Sequence, residues 1–215
     1  MIKALIFDMD GLMIDSERLY FQAEENMAKK FGVELREETL WKMMGTKPIE
    51  GLAIFVEDLN LPITAQEALN MRNKVMRKKL QTELETMPGL FHILKTFFNR
   101  LKLAVCTGAQ EEFLDIVVNQ LKIRDKFDVL QSSDGIDKGK PAPEIYLKTC
   151  EKLAISPQDC IVLEDSANGS TAGKRAGCSV IAIPTTYTQS QDFSSADFIA
   201  TDLFHAEKHI NTLLQ

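Results

Sequence analysis

Four runs of aliphatic residues punctuate the chain, at Ala4 to Phe7, Leu103 to Cys106, Ile161 to Leu163 and Val180 to Ile183. None alternates with polar residues, so each reads as a strand buried on both faces, the condition of a parallel sheet covered by helices. Helical spacing of apolar residues fills the intervals over Glu111 to Leu121, Glu144 to Leu153 and Asn168 to Ala176, the last stopping before Gly177, a good helix terminator. Strand alternating with helix predicts a doubly wound sheet joined by right-handed crossovers.

The stretch from about Ser16 to Glu85 breaks this alternation, because it holds no convincing strand. Its apolar residues keep helical faces instead: Leu19, Tyr20, Ala23 and Met27 in a first helix, and Ala68, Leu69, Val75, Met76 and Leu80 in a later one. Asn60 to Thr64, with Pro62, separates two of these helices, and Met87-Pro88-Gly89 marks the return to strand and helix. The expected fold class is therefore α/β. A doubly wound parallel (Rossmann-like) sheet uses residues 1–15 and 86–215, and a small helical domain, residues 16–85, is inserted after the first strand.

Composition removes some alternatives. The 215 residues are 45% hydrophobic and 26% charged, an ordinary globular balance that suffices for one well-buried core and a smaller second one. A formal net charge of −6 argues against a nucleic-acid partner, since phosphate-backbone binding draws on Lys and Arg. No apolar run approaches bilayer-spanning length, and the first ends at Asp8, too early for a secretory signal. No membrane partner is expected, and a cytoplasmic location is. Cys106, Cys150, Cys160 and Cys178 form no Cys-x-x-Cys pair and sit mostly among apolar neighbours, as buried thiols do in a reducing compartment.

The chemistry is concentrated in four polar clusters, each at or soon after an apolar run or on a loop between elements. They are Asp8-Met9-Asp10-Gly11, Thr107-Gly108, Lys140 within KGKPAPE, and Glu164-Asp165. The carboxyl ends of parallel strands share one edge of the sheet, where ligands bind, so these distant clusters are expected to meet there. Carboxylates crowded at one edge repel one another unless a hard cation sits among them; Mg²⁺, which prefers about six oxygen ligands and keeps some waters, fits that description. A phosphate dianion is the natural guest, because the metal, Lys140, the Thr107 hydroxyl and the Gly108 amide would surround its oxygens. Asp8 is the candidate nucleophile, giving an aspartyl-phosphate, and Asp10 the candidate acid that protonates the departing oxygen and later activates water.

In this order, with a helical insertion after the first, DMDGLMID, VCTG, KPAPE and LEDSANG closely resemble the motifs of the haloacid dehalogenase-like hydrolase superfamily. The resemblance covers nearly the whole chain and points to the branch containing β-phosphoglucomutase, phosphosugar phosphatases and pseudouridine-monophosphate phosphatase. It implies that Asp8 is nucleophile and metal ligand, and that Asp10 is acid/base and, through its backbone carbonyl, a further ligand. It implies phosphate binding by Thr107 and Lys140, with Lys140 also restraining Asp8, and an acidic metal site at Asp165 with Glu164 beside it, in a loop that Asn168-Gly169 continues. The inserted helices match a cap that closes over the core and selects substrate, with hinges near Ser16 and near Met87 to Gly89.

Two positions depart from β-phosphoglucomutase. Tyr20 stands where that enzyme has a histidine, five residues after the third aspartate of the first motif, and Gly45 is followed by Thr46, Lys47 and Pro48 where the mutase has an arginine three residues after a glycine. DSERLY and MGTK are similar instead to stretches of the pseudouridine-monophosphate phosphatases. The resemblance thus implies a Mg²⁺-dependent phosphatase acting on a small phosphorylated metabolite, a sugar phosphate or nucleotide monophosphate, as a monomer or weak homodimer. Tyr20 and Lys47 are candidate substrate contacts, and a phosphosugar mutase is the alternative reading.

Three further features have plain structural readings. Asp15 is expected to cap the first inserted helix. The basic residues Arg72, Lys74, Arg77, Lys78 and Lys79 are expected to form a solvated helix face. His205 and His209, four apart, have no further ligand in view.

Overall fold

The computed structural model describes residues 1–43 and 47–215. Strand β1 (Ala4–Phe7) leads into four helices, α1 (Glu17–Lys30), α2 (Glu37–Met43), α3 (Pro48–Asp58) and α4 (Ala65–Thr82). The chain returns through α5 (Leu90–Phe97) to β2 (Lys102–Cys106), followed by α6 (Glu111–Gln120), β3 (Val129–Gln131) and α7 (Glu144–Leu153). Then come β4 (Cys160–Glu164), α8 (Ala167–Ala176), β5 (Ser179–Ala182), β6 (Phe198–Ile199) and α9 (Leu203–Leu213). Two compact units result: Met1–Asp15 with Glu85–Gln215, and Ser16–Leu84. Glu85 thus falls with the α/β unit, and the second connection runs through Leu84–Glu85, two residues before Met87.

The helical unit has its own core, in which Met27 and Ala28 of α1, Leu52 and Phe55 of α3, Leu59 and Leu61 of the connection that follows, and Ala68 of α4 are buried together. Two of its helix starts have a local cause. Pro48 occupies the first turn of α3, where its missing N–H costs nothing, and Thr64 opens α4 with a capping box in which its hydroxyl accepts from the Glu67 amide. The position before α1 belongs to Ser16 rather than Asp15, and the Ser16 hydroxyl is not the cap acceptor. Asp15 instead donates its backbone N–H to Glu85 O at 3.1 Å. The basic run on α4 is divided: Lys74 and Lys78 are exposed, but Arg72 is buried facing Glu24 of α1, and Lys79 donates to Gln22 at 2.7 Å.

In the α/β unit six parallel strands lie in the order β3-β2-β1-β4-β5-β6. After β3 the chain crosses β1 and builds outward on its other side, so β1 is the point where the winding reverses and a crevice opens at the carboxyl edge. All four residues of β1 are fully buried, which is why the sequence there shows no alternation. One layer between sheet and helices holds Ile6, Ala104, Tyr146, Val162 and Ala172, together with Cys106, Cys150, Cys160 and Cys178. All four thiols are free and buried. Gly177 ends α8 with φ +89°, a left-handed turn that a side chain would strain.

Helix α5, to which the periodicity reading assigns nothing, buries Leu90, Ile93, Leu94 and Phe97 at the spacing an amphipathic helix requires. That reading assigns no strand to β3 or β6 either, which are three and two residues long. Too short for a period to register, they exist because a neighbouring strand offers its backbone: Ala104 to Cys106 for β3, and Ile181 and Ala182 for β6. His205 and His209 both pack on Phe198, His209 stacking on its ring with centroids 3.7 Å apart, so their four-residue spacing serves the docking of α9. No helix among the described residues is long and apolar enough to cross a membrane.

Candidate active site

Register brings the first and last motifs together. Phe7 is paired with Val105 on one side and Leu163 on the other, so the residues that follow, Asp8, Thr107 and Glu164-Asp165, emerge from three adjacent strand ends. The Asp8 amide donates to Leu163 O at 3.0 Å and the Thr107 amide to Gln131 O at 2.9 Å, so the sheet ladder continues into the site and fixes both side chains. Gly11, at φ +75°, turns the backbone after Asp10 and donates to Ile14 O at 2.9 Å. Asp10 is held over β2, where the Thr107 hydroxyl donates to its Oδ2 at 3.1 Å and accepts from the Ala109 amide at 3.0 Å. Gly108, between them, is exposed, with open space where a Cβ would stand.

Lys140 comes from the loop before α7 and bridges the two outer motifs. Its Nζ donates to Asp8 Oδ1 at 2.5 Å and to Glu164 Oε1 at 2.6 Å. Burial alone would lower its pKa, but the two carboxylates push it well above the ordinary lysine value, so it stays an ammonium. Burial raises the Asp8 pKa well above the usual carboxylate range, Glu164 and Asp10 add repulsion, and Lys140 opposes both without cancelling them. Ionising Asp8 at this edge therefore costs more than Lys140 alone offsets.

Glu164 has a full set of protein partners. It is fully buried, and each of its oxygens already accepts from two donors: Oε1 from Lys140 and, at 2.8 Å, the Tyr146 hydroxyl; Oε2 from the Ser166 amide at 3.1 Å and hydroxyl at 2.9 Å. Burial works to raise its pKa, yet Lys140 and these hydrogen bonds hold it below the ordinary value. Four protein donors thus converge on Glu164, and through one of them it anchors Lys140. The motif residue beside it, Asp165, is also buried, at the crevice end of β4.

Sequence reasoning missed what surrounds Glu164. A Cβ on Gly169 would lie 1.7 Å from Oε1, so the first turn of α8 must be bare there for the carboxylate to fit. Ser166 caps the same helix by accepting from the Gly169 amide while donating to Glu164. Tyr146 reads in one sequence as an ordinary core residue of α7, and nothing in the local pattern announces its hydrogen bond.

Among the described residues no three His, Cys, Asp or Glu side chains form a ready-made metal cage. Donor chemistry nonetheless fits Mg²⁺, which takes one or two carboxylates and completes its shell with water and substrate oxygens. Asp8, Asp10 and Asp165 carry hard oxygens, and a divalent cation among them would offset the cost of ionising buried Asp8. The two candidate substrate residues lie in the helical unit. Tyr20 is half-buried on α1 with the Arg72 guanidinium 5.1 Å over its ring, and Lys47 is exposed in extended backbone just before α3. Gly45 and Thr46 lie outside the described residues.

Comparison with known proteins bears on the fold and on the class of reaction. The family model described as haloacid dehalogenase-like hydrolase matches residues 5–183. A phosphorylated carbohydrates phosphatase of Thermotoga maritima is 34% identical over 178 residues, 82% of either chain. Hexitol phosphatase B of Escherichia coli is 29% identical over 194 residues, 88% of this chain and 86% of that one. The crystal structure of CbbY from Rhodobacter sphaeroides in complex with phosphate superposes with a TM-score of 0.85 at 25% identity, covering 94% of this chain and 95% of that one.

Proposed function

The chain belongs to the haloacid dehalogenase-like hydrolase family, and from that premise we propose that this phosphoric monoester hydrolase removes phosphate from a small phosphorylated carbohydrate or nucleotide monophosphate through a phospho-Asp8 intermediate. The observation that carries the reading is the buried contact of Asp8 with Lys140, one strand away from Asp10 on the Thr107 hydroxyl. Two aspartates in different surroundings suit two roles. Lys140 restrains Asp8 and faces the phosphoryl oxygens, while Thr107 orients the Asp10 carboxyl.

In the first step an Asp8 carboxylate oxygen bonds to phosphorus as the ester P–O bond breaks, and Asp10 gives its proton to the departing alkoxide. In the second, Asp10 takes a proton from water, the water oxygen bonds to the same phosphorus, and the Asp8–phosphorus bond breaks to release phosphate. Mg²⁺ held by Asp8, the Asp10 carbonyl and Asp165 would supply positive charge that keeps Asp8 ionised and balances the phosphoryl oxygens. Asn at position 8 cannot form the acyl phosphate, since a neutral amide oxygen is a poor nucleophile.

The helical unit is proposed as the cap that selects substrate, with Tyr20 and Lys47 as its contacts. The names of the relatives support a carbohydrate-phosphate class, one acting on phosphorylated carbohydrates and another on hexitol phosphates. The test is phosphate release from a panel of sugar phosphates, polyol phosphates and nucleotide monophosphates with Mg²⁺ and with chelator. Metal-dependent release, ranked by kcat/KM and abolished in Asp8→Asn, is expected. Full activity in that variant would sink the mechanism, and glucose 6-phosphate accumulating from β-glucose 1-phosphate and a bisphosphate activator would make the enzyme a mutase.

A further inference from the structure

Tyr146 is fully buried, yet it touches both members of the ion pair that restrains Asp8. Its hydroxyl donates to Glu164 Oε1 at 2.8 Å, the same oxygen that accepts from Lys140 at 2.6 Å. Its ring lies under the Lys140 ammonium, 5.1 Å from Nζ to centroid, within the range of a cation–π contact. A core tyrosine needs some partner for its hydroxyl, so a single hydrogen bond would be unremarkable. Meeting the carboxylate and its lysine together is not required by packing.

The far side of Glu164 is closed. Gly169 leaves room for the carboxylate and no more, and Ser166 holds Oε2 with two donors. Oε1 is thus shared between a phenol and an ammonium, and what the phenol takes, the lysine does not need to supply. Without the hydroxyl, Glu164 Oε1 would be left to Lys140 alone, and the ammonium would be drawn toward Glu164 and away from Asp8.

We propose that Tyr146 is a positioning residue for phosphoryl transfer, holding Lys140 by its ring and Glu164 by its hydroxyl so that the ammonium stays aimed at Asp8 and the phosphoryl group. The inference rests on the function proposed above and deepens it by extending the site into the core of α7. Tyr146 acts through its neighbours, without contact with substrate. Because a misaimed charge is felt where charge develops during transfer, its loss falls on kcat more than on substrate binding.

Tyr146→Phe keeps the ring and the packing and removes one oxygen. Expected are a kcat lower by about tenfold, with KM and the Mg²⁺ concentration for half-maximal rate each within about twofold of wild type. The urea unfolding midpoint should stay near the wild-type value, and Tyr146→Leu, which removes the ring as well, should lose more kcat. A double-mutant cycle with Glu164→Gln separates positioning from packing: if Tyr146 works through Glu164, its replacement by Phe costs less than about twofold in the Glu164→Gln background.

Full kcat in Tyr146→Phe, or a loss that persists undiminished in the Glu164→Gln background, overturns the proposal. So does a rise in Mg²⁺ requirement that accounts for the whole fall in rate, which would make Tyr146 act through metal binding. A wild-type enzyme that releases phosphate from no ester overturns the proposed function and this inference together. An active wild type beside an unaffected Tyr146→Phe overturns the inference alone.

Discussion

Glu24 shows how one side chain escapes its local pattern. It lies on the buried face of α1, where burial raises its pKa to about 7; Arg72 attracts it from 3.6 Å, beyond good hydrogen-bonding distance, and does not make up the difference. The folded state therefore holds this proton more tightly than the unfolded chain, whose glutamates titrate near 4.5. Stability from this group is fully present below that value and is lost as pH rises through about 7, a swing on the order of 3 kcal/mol. Urea unfolding of wild type and Glu24→Gln across pH 4 to 8.5 checks this, because only the pH dependence of their difference is diagnostic: the wild-type advantage should shrink steadily as pH rises. A difference that stays flat would mean Glu24 ionises normally.

At the scale of the element, helix starts and ends are where the sequence speaks most clearly. The Thr64–Glu67 capping box satisfies amides that the first turn of α4 cannot pair within itself. Thr64→Ala should lower unfolding free energy by about 1 kcal/mol without changing kcat, measured by denaturant titration and steady-state assay on one preparation. Helix α8 is different, since its first turn is shaped by Glu164 as much as by its own cap. A glycine three residues after a serine looks like loop chemistry in a sequence. In the structure its missing side chain is the space a carboxylate occupies.

At the scale of the whole molecule, the two units are joined by peptide links at Asp15–Ser16 and Leu84–Glu85, and the α/β unit closes the gap itself. Asp15 N donates to Glu85 O at 3.1 Å, Ile14 bridges Thr86, and Met87 N donates to Met13 O at 2.9 Å. Replacing residues 16–84 with a short glycine linker should therefore leave a folded α/β unit that still hydrolyses p-nitrophenyl phosphate. If the helical unit carries substrate selection, that protein should discriminate poorly among the metabolites of the panel, as a ratio of kcat/KM values would show. Unimpaired discrimination would place selectivity in the α/β unit. By itself the sequence determined what depends on nearest neighbours and period: doubly buried strands, amphipathic helices, caps, and the polar clusters that follow strand ends. Tertiary structure decided the rest. It made β3 and β6, which are strands only because a neighbour's backbone is there to pair with, and it set Glu164 against a lysine from a distant loop. A carboxylate's role is set by which donors reach its lone pairs, and those of Glu164 arrive from Lys140, Tyr146 and Ser166, brought together only when the sheet and its helices pack.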